Sequence, residues 1–302
     1  MRQRRAFITF PEKLGNDSSF FREQKKIDGV NIKFSVETFS PVGVSSSAYI
    51  TVYNLNRDDL DFLTTTTNSW LKKRNLIQLY VGYDDDVSMI FSGQITNAPS
   101  QGNPDVGIDI RGLASVDWMS KQISFQKKDL KIADLLNYLR DETGATLNLP
   151  NWLRNSNEWL NKKLEEYSYT GTAMGLVQKI SDMMGGFSFN KNSVNMNIND
   201  QEINVWSALS KDNGNIWLIS EETGMIGYPA PTTGGCTVRT LLNPNIKAGD
   251  MIRVHSNRLK LCNTDYFVIG IKHEGELRGN NWYTTLNCSL TSNWQKDLEK
   301  NV

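Results

Sequence analysis

The sequence predicts an α+β protein, predominantly β, laid out as β, then α/β, then β. Three observations carry this. Short runs that alternate apolar and polar residues, the period of a half-buried strand, crowd residues 1–115 and return over 201–302. Between them, over 116–200, apolar residues twice fall at helical spacing. Asn, Ser and Thr are abundant while hydrophobic residues make up 39%, the balance expected of many short strands and turns.

In the first region, residues 30–36 and 48–53 alternate with β-branched and aromatic side chains, which favours strands. Asn56 is placed as a helix N-cap, with Asp58 and Asp59 in the first turn where the helix dipole favours acids. A short helix is therefore expected over 57–64. Residues 76–83 read as a strand, Asp84, Asp85 and Asp86 as its turn, and 88–96 as the antiparallel return. Residues 106–112 add another strand. Six or so strands with one helix suggest a small barrel or sandwich.

In the middle region, Ile132, Leu135, Leu136 and Leu139 share one helix face, and Gly144 stands where a C-terminal cap belongs. Ala173, Leu176, Val177, Ile180 and Met184 repeat the pattern and end at Gly185 and Gly186. The two units match at an offset of 41 residues, each flanked by short strands, the following ones at 145–149 and 187–190. A duplicated β-α-β unit and two helices obeying the same rules both account for this. The polar, Trp-rich stretch 151–166 reads as a helical insertion or a surface loop. In the last region, strands are expected at 215–219, 236–242, 251–255, 266–274 and 282–289, with turns at Gly249–Asp250 and Gly279–Asn280. Residues 224–250 read as strand, proline-stiffened turn, strand and second turn, and the charged end at 297–302 as frayed.

Composition narrows the function. Of 302 residues, 33 are Lys or Arg and 33 Asp or Glu, so the formal net charge is zero. A dedicated nucleic-acid binder carries a basic excess. A neutral chain has little self-repulsion to oppose assembly. Cys236, Cys262 and Cys288 are odd in number and form no CxxC pair, against both a disulfide framework and a zinc site. They read as small hydrophobes on strands in a reducing compartment. The N-terminus is basic but lacks the apolar run of a signal peptide, and no stretch is long enough to span a membrane. A soluble protein made in the cytosol, with no membrane anchor, is expected.

No chemistry-bearing motif stands out. The acidic run at 84–86 lacks the alternate ligand spacing and central glycine of an EF-hand. The basic stretches at 2–5 and 72–74 are short and offset by acids. His255 and His273 lie on expected strands with no nucleophile elbow nearby. No phosphate-cradling glycine loop is present, so nucleotide binding has no candidate. Trp152, Trp159, Trp206 and Trp217 suit a core or an interface, and alternatively a carbohydrate site. No catalytic, cofactor or metal residue is nominated.

Three segments, in order, resemble the baseplate hub protein of contractile-tailed bacteriophages. The first is 49–55, a strand ending in Tyr53, Asn54 and Leu55. The second is the hairpin of 81–83 with 90–95, marked by Gly82, Tyr83 and Gly93. The third runs from Gly224 to Asp250 through Gly227, Pro229, Pro231, Leu242, Pro244 and Gly249. The resemblance implies two tail-tube-like antiparallel β-barrel domains, 1–115 and 201–302, around an α/β middle at 116–200. It implies a homotrimer whose six barrels ring a lumen that passes DNA without reading its sequence. Its implied partners are the tail tube protein, the spike protein and other baseplate or tape-measure components, and its place is the virion tail, assembled in host cytoplasm. It implies no catalytic residue and no cofactor. The prolines and glycines named above would shape turns. Lysozyme-like or peptidoglycan-binding modules carried by some relatives are not expected here. A tail-associated cell-wall hydrolase and a carbohydrate- or receptor-binding tail module remain the rival expectations.

Overall fold

A computed structural model describes residues 3–13, 21–39, 46–67, 76–101, 106–149, 155, 158, 160–184, 194–199, 202–207 and 216–290. The chain is predominantly β, as expected. The first region holds β1 (Arg4–Lys13), β2 (Phe21–Ile27), β3 (Asn31–Phe39), β4 (Ser47–Tyr53), α1 (Arg57–Thr67), β5 (Leu76–Tyr83), β6 (Asp86–Asn97), β7 (Ser100–Gln101) and β8 (Gly107–Leu113). The basic N-terminus, read from sequence only for its charge, is thus a strand. Asn56 caps α1 as expected: its Oδ1 accepts from the Asp59 N–H at 2.7 Å. The acidic run is the turn of the β5–β6 hairpin. Its acids tie in the N-terminus, Asp84 Oδ1 accepting from the Gln3 N–H at 2.8 Å and Asp85 from the Arg5 guanidinium at 3.2 Å.

The middle holds α2 (Val116–Ser120), β9 (Gln122–Lys131), α3 (Ile132–Thr143), β10 (Thr146–Asn148), β11 (Lys163–Thr172), α4 (Ala173–Met183), β12 (Val194–Asn199) and β13 (Glu202–Ser207). β9 and β11 begin and end 41 residues apart, and so do the first residues of α3 and α4. The repeat therefore reaches the strand ends, which shared helix grammar does not require. β9 and β11 pair antiparallel from Gln122↔Thr172 to Lys131↔Lys163, so the two β-α units face each other about a local twofold. Gly144 closes α3 with φ of 71°, while 185–190 lie outside the described residues. The last four residues of the expected 151–166 insertion, 163–166, belong to β11, a correction to reading that stretch as one loop or helix. Trp152 and Trp159 lie outside the described residues, as do the basic stretch 72–74 and the end 297–302. β10, β13 and β12 form a separate three-stranded sheet, and β13 adds Ile203 and Val205 to the middle core.

The last region holds β14 (Trp217–Ser220), β15 (Ala230–Thr232), β16 (Gly235–Leu241), β17 (Met251–His255), β18 (Asp265–Glu276) and β19 (Trp282–Leu290). Residues 224–228 are not the strand expected of them. A turn ends at Gly224, and Met225 makes only an isolated bridge to Thr240. Cys236 and Cys288 lie on β16 and β19, whereas Cys262 lies on a 3-10 turn, Lys260–Cys262.

Fourteen of the described strands join one sheet. Its main path runs β15-β16-β19-β18-β3-β4-β8-β6-β5-β1-β2, with β17 and β14 branching from β18 and β7 lying on β8. The two β regions are therefore continuous. They join where β18 pairs antiparallel with β3, from Gly270↔Phe39 to Glu276↔Lys33. The path is open at β15 and β2, and no closed barrel is formed among the described residues.

Candidate assembly junction

Of the residues singled out from sequence, Tyr83 and Leu242 reach the seam between the two β regions. Leu242, the residue after β16, is 3% exposed and sits in the core of the first region together with Trp282. Its N–H donates to the Trp282 carbonyl at 3.1 Å. Trp282 meets Phe34 edge-on at 5.4 Å and Tyr83 at 6.4 Å, and the Arg4 guanidinium lies 5.5 Å over its ring. Arg4 also donates to the Gly279 carbonyl at 2.6 Å, tying β1 to the β18–β19 turn. The seam is thus a hydrophobic key with a cationic cover.

The residues after Leu242 continue the bridge. The Asn243 N–H donates to Thr284 Oγ1 at 2.9 Å, and Asn245 Oδ1 accepts from the Ser88 hydroxyl of β6 at 2.8 Å. Thr284 Oγ1 also lies 2.9 Å from His273 Nδ1. His273 is fully buried, and desolvation pushes its pKa down from 6.5 to about 4, so the imidazole is neutral at pH 7. Farther on, Asp250 Oδ2 accepts from the Lys247 N–H at 2.8 Å and from the Trp217 indole at 3.2 Å. Burial raises its carboxyl pKa more than these bonds lower it. Gly249 turns with φ of 96° directly over Trp206.

The other named residues lie apart from this seam. Tyr53 ends β4, Asn54 holds φ of 56° and donates to the Val106 carbonyl at 3.2 Å, and Leu55 packs on the first core. Gly82 and Gly93 sit on the β5–β6 hairpin. A side chain at Gly82 would run into Asp86 O, and one at Gly93 would lie 2.6 Å from the Phe91 ring. Gly227 has φ of 77°, Pro229 is buried, and Pro231 stands in β15 opposite Cys236. Sequence reasoning missed Arg4, Trp282 and His273 as parts of the seam. Trp282 was read only as the first residue of a strand, and nothing local marks the partner it meets 248 residues away in Phe34.

A groove of about 540 Å³ opens where the three regions meet. Met89 and Ile90 of β6, Leu147 and Asn148 of β10, Trp206 of β13 and the 244–250 loop line it. Among the described residues, no group of three or more His, Cys, Asp or Glu could hold a metal ion.

An open, largely antiparallel sheet that carries a helical middle defines a tail-protein fold. The tail protein from Neisseria meningitidis MC58 shares it with a TM-score of 0.63 and 8% identity, over 98% of this chain and 99% of that one. The 43 kDa tail protein of prophage MuSo2 from Shewanella oneidensis gives 0.62 and 7%, over 97% and 99%. The E. coli c3393 protein is described as a component of the type VI secretion system with structural similarity to T4 bacteriophage tail proteins gp27 and gp5. It gives 0.57 and 9%, over 88% and 75%. No curated protein sequence matches the chain. The sequence matches the baseplate hub gp41 family over residues 15–288, and the chain belongs to that family.

Proposed function

We propose that this chain is a structural, non-enzymatic hub subunit of a contractile phage tail. In this reading, three copies form a ring that adapts a hexameric tail tube to a trimeric spike and surrounds the DNA channel. The observation that carries it is the seam: one sheet, Leu242 and Trp282 hold the two β regions in fixed register. Two β regions held rigidly in each of three subunits give six tube-facing units, each of them a tail-tube-like barrel in this reading. Leu218, Tyr228, Leu241 and Leu261 of the last region are exposed, surface of the kind that assembly covers. The ring would be heterologous and closed, with sheet edges and hairpin loops meeting the neighbour.

Imaging of the assembled particle tests this, with threefold density for this chain on the tail axis as the expected result. Native mass measurement of the purified chain, alone and with its tube and spike partners, gives a second readout. A chain that stays monomeric in every mixture would sink the proposal.

A further inference from the structure

We propose that the three-region groove receives an extended segment of a partner protein, with aliphatic side chains and one Lys or Arg. Its volume, about 540 Å³, falls in the range of ligand sites. Four features identify the occupant. β10 is the edge strand of its sheet, so its outer backbone groups have no strand partner among the described residues and can take an added strand. Beside it, Asn148 Nδ2 donates to Asn204 Oδ1 at 2.7 Å. That bond leaves the Asn148 oxygen and the Asn204 amino group, an acceptor and a donor suited to one peptide unit. The walls are aliphatic, with Met89, Ile90, Leu147, Ile246 and Ile271. Glu202 and Asp250 face a single cation, Lys247, because His273 is neutral at pH 7, so a basic residue complements the groove.

Trp206 lines the groove, is 3% exposed, and keeps its indole N–H buried with no acceptor among the described residues, so that N–H reports on what fills the groove beside it. The same burial argues against a sugar. Trp206 and His273, the aromatic side chains of the lining, offer no exposed ring face for stacking.

The test is a titration of full-length protein carrying ¹⁵N-indole tryptophan, following the Trp206 N–H resonance assigned by its loss in Trp206→Phe. The probe is a blocked pentapeptide of four valines with one central lysine. The expected result is a saturable shift, weakened at least tenfold when glutamate replaces lysine in the probe, and none with chitotriose. Ala248→Trp fills the groove and Met89→Asp spoils its exposed rim, and each should abolish the shift. No saturable shift with the lysine probe, or a shift unaffected by both variants, overturns the site. Equal binding of the glutamate probe overturns the basic preference, and a shift with chitotriose alone overturns the peptide assignment.

Discussion

Gly249 shows how one position serves both backbone and packing. Its φ of 96° belongs to the left-handed half of conformational space, and its N–H donates to the Val268 carbonyl at 2.8 Å. A methyl group added there would sit 3.0 Å from Cγ of Trp206. Gly249→Ala should cost about 1–2 kcal/mol from the backbone alone, read as a lower denaturation midpoint. Gly234→Ala, in open space, should move the midpoint little. His273 gives a pH signature. The unfolded imidazole takes a proton below pH 6.5, while the folded one waits until about 4. Stability should therefore be full above pH 6.5 and decline as pH falls toward 4, by on the order of 3 kcal/mol in all. Asp250 opposes this at the acid end, because its folded pKa is raised and its protonation favours the fold. Chemical denaturation from pH 7.5 to 5 should show the slope in the native protein and lose most of it in His273→Gln. The facing thiols make a further case. Cys236 lies opposite Cys288. The bonds Leu290 N–H to Gly234 O and Leu242 N–H to Trp282 O fix theirs as a wide, hydrogen-bonded pair. Such pairs stand about 5.5 Å apart at Cα and hold their Cβ atoms too far apart for an unstrained disulfide. Thiol titration of the unfolded protein after aerobic purification should count three free cysteines.

At the scale of elements, local grammar was written plainly in the chain. The Asn56 cap, the Asp84–Asp85 turn, the Gly144 terminus and the apolar stripes of α3 and α4 each depend on a few neighbouring residues. Asn56→Ala removes the bond to the Asp59 N–H and should lower stability by about 1 kcal/mol. Thermal melting checks this, and Asn56→Asp should restore most of the loss. β2 was harder to read, because Arg22, Glu23, Lys25 and Lys26 obscure its alternation. That charge suits a strand at the end of the sheet, where it discourages further pairing. β11 was hidden for a related reason: its outer face is polar and only its inner positions, Leu164, Tyr167 and Tyr169, meet the core. The candidate junction was legible as a segment and opaque as a place. Leu242 and Pro244 stood out by motif, yet nothing in their vicinity shows that Leu242 enters the core of a region ending more than a hundred residues earlier.

At the scale of the whole molecule, the deciding fact is that strands distant in sequence join one open sheet. β3 and β18 pair although more than two hundred residues separate them, and no periodicity encodes such a partner. Separate domains and one continuous sheet make different predictions for unfolding. If the regions were joined only by a linker, they would unfold independently, and a seam mutation would weaken a contact without changing the number of transitions. With Trp282 in the first core and Leu242 hydrogen-bonded to it, the two β regions should unfold together. Trp282→Ala removes the ring that touches Phe34, Tyr83 and Arg4 and leaves a cavity at the seam. The expected loss is about 3–5 kcal/mol, the usual cost of deleting a large core aromatic. It should fall unequally, because the last region keeps its own core around Val238, Ile252 and Val268. Calorimetry should then resolve two transitions where the native protein shows the β regions melting as one. If the variant still melts in a single step, merely at a lower temperature, the coupling resides in the β3–β18 ladder and not in the tryptophan. Thr38→Pro would then be the seam-breaking change, since it removes a ladder donor opposite Ile271, in the same hydrogen-bonding phase as the Leu277 N–H to Ile32 carbonyl bond.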